Sequence, residues 1–111
     1  MSDIPFSNEE KLSILRVLLD IARSDNDIDL NEAAYFTQIC ITLGFDPDNV
    51  DSILRTVNGR SVAASLFCLG QMSPDKKVAT TVMVNEMVKA DGVVEQEEVN
   101  VATAVLAAMF A

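Results

Sequence analysis

Apolar residues recur along this chain at three- and four-residue intervals from end to end, and strict two-residue alternation is nearly absent. The first run holds Leu12, Leu15, Leu19 and Ala22, widened by Ile14, Leu18 and Ile21. It predicts a helix capped by Ser7, with Glu10 completing a capping box, that ends near 23–24. Ala33, Phe36, Ile39, Cys40 and Leu43 predict a second helix, capped by Asp29 and stopped by Gly44. Asp46 caps a third, with Pro47 at its first position and Val50, Ile53, Leu54 and Val57 on its apolar face. Asn58 and Gly59 end it. A fourth runs over about 61–71, with Val62, Leu66 and Leu69 on one side and Ala63, Phe67 and Gly70 beside them. Ser73 and Pro74 open a fifth, lined by Val78, Val82, Met83, Met87 and Val88 and ending near Ala90. The sixth begins near Glu95 and continues through Val99, Ala102, Val105, Leu106 and Met109.

Connections between these segments are a few residues long, as in compact helical bundles, and no composition break divides them. The expectation is one all-α domain, a compact bundle of about six helices. With 111 residues, half of them apolar, it can bury a core without disulfide or metal staples.

A shift of 66 positions overlays two stretches. Asp20 falls on Glu86, Arg23 on Lys89, Asp25 on Asp91, Ile28 on Val94, Asp29 on Glu95 and Glu32 on Glu98. Ile39 then falls on Val105, and Leu43 on Met109. This predicts an internal pseudo-duplication of a helix–acidic loop–helix unit, with copies over about 8–45 and 74–111 and linking helices over about 46–72. Asn26 and Gly92 suit a left-handed turn after the first helix of each copy, and Ile28 and Val94 suit a plug between its helices.

Charge narrows the functions. The net charge is −9, and the eight basic residues are scattered, so no phosphate-tracking groove is expected and nucleic acid is not a partner. Cationic partners are favoured instead. Histidine is absent and the two cysteines, Cys40 and Cys68, lie in apolar pattern, which leaves no zinc-finger ligand set, serine triad or Cys–His nucleophile. Both thiols, and Met72, Met83, Met87 and Met109, read as core filler, and Tyr35 as a half-buried aromatic. No apolar run is long enough to span a membrane, no signal peptide is read, and a cytoplasmic location is expected.

The windows 25–32 and 91–98 each hold four carboxylates, together eight of the seventeen in the chain. Two readings stay open. Helix capping explains Asp29, Glu32 and Glu98, since acids in a first turn complement the helix dipole. It explains Asp25 and Asp91 poorly, because they fall where a helix ends. A hard-cation site explains all of them, because Ca²⁺ and Mg²⁺ take carboxylate oxygens on tight turns. The metal-ligand candidates are Asp25, Asp29 and Glu32 in the first copy and Asp91, Glu95 and Glu98 in the second, with Asp20 and Glu86 as further donors one turn earlier. Neither loop is an EF-hand. Two and four residues before Asp25 and Asp91 stand Arg23, Ile21, Lys89 and Met87, where that loop needs acids.

The stretches 21–32 and 88–98, with Ser24-Asp25-Asn26 in one and Ala90-Asp91-Gly92 in the other, resemble the signature of the TerB-like tellurite-resistance domains. The resemblance covers almost the whole of 1–111. It implies a compact all-α fold and an acidic surface proposed to chelate metal. It also implies a place in the cytoplasm or at the membrane's inner face, and a stress-response role without catalysis. The expected function is a non-enzymatic acidic module binding Ca²⁺ or Mg²⁺, within a stress-response assembly whose other proteins carry basic surfaces. The alternative is a metal-independent interaction domain that docks a basic partner through its acidic face. A metal-assisted hydrolase is a third reading, which requires a concave pocket beside the carboxylates. Self-association into a homo-oligomer stays open.

Overall fold

Ser7 begins the first helix as its sequence predicts. Its hydroxyl accepts from the Glu10 N–H at 3.1 Å, and the Glu10 carboxylate accepts from the Ser7 N–H at 2.8 Å. In the computed structural model, which describes residues 5–23, 30–90 and 96–110, the chain forms six α-helices and one short 3₁₀ turn. They are, in order, α1 (Asn8–Ala22), α2 (Leu30–Thr42), the turn Pro47–Asn49, α3 (Val50–Asn58), α4 (Val62–Gly70), α5 (Pro74–Val88) and α6 (Gln96–Met109). No strand occurs among the described residues.

Helix α1 is the axle of the bundle, packed against all five other helices. That is why its buried positions run nearly all round: Ser13, Ile14, Leu15, Val17, Leu18, Leu19, Ile21 and Ala22. Some of its contacts are polar. Arg60, just before α4, donates to Ser65 Oγ at 3.1 Å, to Ser13 Oγ at 2.9 Å and to Glu9 Oε2 at 2.7 Å. Ser13 and Ser65 are fully buried, so this guanidinium joins α1 to α4 from inside.

The chain stops α2 with a Schellman arrangement. The Phe45 N–H reaches Cys40 O and the Gly44 N–H reaches Ile41 O, both at 2.9 Å. Gly44 sits at φ +92°, a region that costs an L-residue strain. Asp46 does cap the next helical segment, accepting from the Asp48 N–H at 2.9 Å, but the first turn is 3₁₀ before α3 becomes regular. Ser73 occupies the cap position of α5 with extended backbone, yet its side chain makes no capping bond.

Two expected apolar faces are shifted. Val78 and Val82 on α5 are exposed, and its inner stripe is Ala79, Thr80, Met83, Val84, Met87 and Val88. Thr80 tolerates burial because its hydroxyl donates to Lys76 O at 2.8 Å. On α4, Phe67 and Val62 face outward, while Ser65 and Leu69 are buried. Cys68 is only half-buried, whereas Cys40 is wholly inside, and both are free thiols. The four methionines at 72, 83, 87 and 109 are core residues, as expected.

The two outer helix pairs are in register. A shift of 66 positions carries α1 onto α5 at both ends and the start of α2 onto the start of α6. The residues closing α1 and α5, Arg23 and Lys89, share nearly the same backbone, φ −94° and ψ 3° against φ −97° and ψ 1°. Phe6 and Met72, one residue before the two serine caps, are both buried. Thr37 and Thr103 each donate back to a carbonyl four residues earlier.

Candidate functional site

Of the six predicted ligands, the described residues include Glu32 and Glu98, and Asp25, Asp29, Asp91 and Glu95 lie outside them. So do Asn26, Gly92, Ile28 and Val94. Glu32 is the third residue of α2 and Glu98 the third of α6. Their exposures are 2% and 1%, and they are the two buried acids among the described residues. Carrying a carboxylate into the interior costs several kcal/mol unless polar groups or a cation meet it. The first turn of a helix, with its outward N–H groups and positive dipole end, is a place where that cost is reduced. Both residues interact with neighbouring groups.

Helices α2 and α6 pack on α1 and α5 but not closely on one another, so helix packing does not itself join Glu32 to Glu98. Among the described residues, no group of three acidic or thiol side chains gathers at ion-holding distance. Asp20, a suggested further donor, is already held. Arg16 Nε lies at 3.2 Å and Arg23 Nη2 at 3.4 Å from its two oxygens. The same arginines reach α3. Arg16 Nη1 donates to the Val57 and Asn58 carbonyls at 3.3 and 2.7 Å, and Arg23 Nη1 donates to Asn58 Oδ1 at 2.7 Å. Arg16 thus closes the carbonyl end of α3, and the two arginines together pin that end to α1. Glu86, the counterpart of Asp20, is exposed.

A cleft of about 230 Å³ opens beside Glu32. Leu19 and Ala22 of α1 form its floor, Ala33, Phe36 and Thr37 of α2 one wall, and Val50 and Leu54 of α3 the other, with Asp51 among the lining residues. The periodicity marks Leu19, Phe36, Val50 and Leu54 only as apolar. That α2 and α3 both rest on α1 without closing on each other is not written in it.

Tyr35 hydrogen-bonds Met83 O at 3.4 Å, and burial, with a smaller push from the Glu86 charge, raises its phenol to about 12. Burial likewise raises the Cys40 thiol to about 11, against a weaker lowering by a backbone hydrogen bond.

Comparison with known proteins now bears on the first half of this arrangement. Residues 4–55 match the family model described as tellurite resistance protein TerB. The first half of the chain carries a TerB match. The matched segment runs through α1, α2 and the 3₁₀ turn into α3, so it contains the first acidic window and every residue named in the cleft. The fold is also similar to that in a crystal structure of a protein of unknown function from Porphyromonas gingivalis W83. The TM-score is 0.81 at 19% identity, covering 94% of this chain and 85% of that one. No curated protein matches the sequence.

Proposed function

We propose that this TerB-like domain works by binding rather than by catalysis, and that its duplicated acidic windows bind a divalent cation, Ca²⁺ or Mg²⁺, in a stress response of the kind that the family's tellurite-resistance description names. The observation that carries this reading is the placement of Glu32 and Glu98. Two buried carboxylates, 66 positions apart, stand at the same place in the first turn of two helices, each preceded by further acids. Carboxylate oxygens are the donors these hard cations prefer, so the donor type fits. Glu32 would hold the ion with Asp25 and Asp29, and Glu98 with Asp91 and Glu95. Because α2 and α6 do not pack closely together, the reading assigns each copy its own ion.

Calorimetric titration of metal-stripped protein with Ca²⁺ and then Mg²⁺ tests it. Heat of binding is expected, reduced by about half with Asp25→Ala or Asp91→Ala alone and abolished by the pair. Binding no tighter than the millimolar range, or binding untouched by the double variant, overturns it.

A further inference from the structure

We propose that the groove between α2 and α3 receives an amphipathic, basic helix from a protein partner. The inference goes beyond cation binding and shares only Glu32 with it.

The groove has the form that helix recognition uses: two helical walls, an apolar floor and room for side chains inserted at helical spacing. Its floor and walls, from Leu19 and Ala22 to Phe36, Val50 and Leu54, are apolar over most of their extent. The apolar lip also continues past the cleft. Leu30 is 88% exposed and Ile41 44% exposed, and with Ala33 and Thr37 they fall at i, i+3, i+7 and i+11 along one face of α2. Large aliphatic side chains left in water along a groove edge mark an interaction surface more than scattered single ones do.

The second half of the molecule supplies an internal control. Shifted by 66, Leu30 becomes Gln96 and Ile41 becomes Ala107, on a helix that starts in the same register. The helical unit therefore does not require large apolar side chains at these positions. Helix α6 is moreover packed against α4, whereas α2 and α3 stay apart and leave the cleft between them.

Charge selects the occupant. Asp51 lines the groove, Glu32 stands in its wall, and Asp46 and Asp48 are exposed in the turn just before α3. An apolar trough with acids along it is complementary to a helix carrying apolar residues on one face and lysines or arginines beside them. A second copy of this chain, itself at −9, would bring acid against acid.

The test uses ¹⁵N-labelled full chain in chelator, titrated with a synthetic amphipathic peptide bearing leucines at helical spacing and lysines on the flanks. A twin peptide has glutamates in place of the lysines. Chelator keeps the outcome separate from that of the cation titration. Shifts are expected at the amides of Leu30, Ala33, Thr37, Ile41 and Leu54, with the glutamate twin binding at least about tenfold more weakly. Leu30→Gln with Ile41→Ala, which installs the side chains of the second half, and separately Asp51→Lys, should each weaken binding about tenfold with helicity unchanged. Absent binding, equal binding of both peptides, shifts centred elsewhere or indifference to the variants overturns the proposal. Self-association that disappears with Leu30→Gln and Ile41→Ala overturns it too, by making a second copy the occupant.

Discussion

Lys76 Nζ donates to Glu10 Oε1 at 2.9 Å, so two residues 66 positions apart bind each other across the first turns of α5 and α1. Both side chains are largely buried, and Glu10 at the same time completes the capping box with Ser7. One carboxylate therefore starts α1 and fastens it to α5.

The pair makes stability pH-dependent. Burial alone raises the Glu10 pKa, but the hydrogen bond and charge of Lys76 and the hydrogen bonds from Ser7 outweigh it, leaving the group below its ordinary value. A depressed acid contributes fully above its unfolded pKa, about 4.3, and the contribution is lost as pH falls through the lower folded value. Urea unfolding should show Glu10→Gln less stable than wild type by about 1–3 kcal/mol near neutrality. The gap should shrink below about pH 4. A gap that holds constant across that range would rule out the linkage.

Arg60 is the second fastening. Removing it withdraws donors from two buried hydroxyls and from Glu9 at once. Arg60→Ala is expected to cost about 2–4 kcal/mol, and Arg60→Lys to recover little of it, because a lysine lacks the planar fork that reaches three oxygens. Thermal and chemical denaturation of the two variants check this.

Tyr35 offers an optical readout, being the single tyrosine in a chain without tryptophan. Absorbance of the phenolate should rise with a midpoint at about 12 in the folded protein. It should rise near 10 once the protein is unfolded in denaturant. The shift is that of an acid held neutral. Between those two values the unfolded chain has released a proton that the folded one retains, so stability falls as pH rises through the interval. A folded-state midpoint near 10 would place Tyr35 in solvent, away from Met83.

Much of the architecture is local and was legible in the chain. The Ser7–Glu10 box, the stop at Gly44 and the Asp46 cap each depend on a few adjacent residues, and the structure has all three. The four methionines entered the core on hydrophobic spacing alone. The TerB-like signature was likewise readable as a run of acids between apolar helices.

The rest depended on which faces meet. Val78 and Val82 are as apolar as Met83, yet α5 turns them outward and buries Thr80, whose hydroxyl finds its own backbone acceptor. Glu32 and Glu98 read as capping or metal-binding acids in a charged window, and only the packing of α2 and α6 buries them. The centrality of α1 and the groove left between α2 and α3 have no signature in periodicity. Spacing along a helix determines which residues share a side; burial belongs to the neighbour that covers that side, and that neighbour comes from elsewhere in the chain.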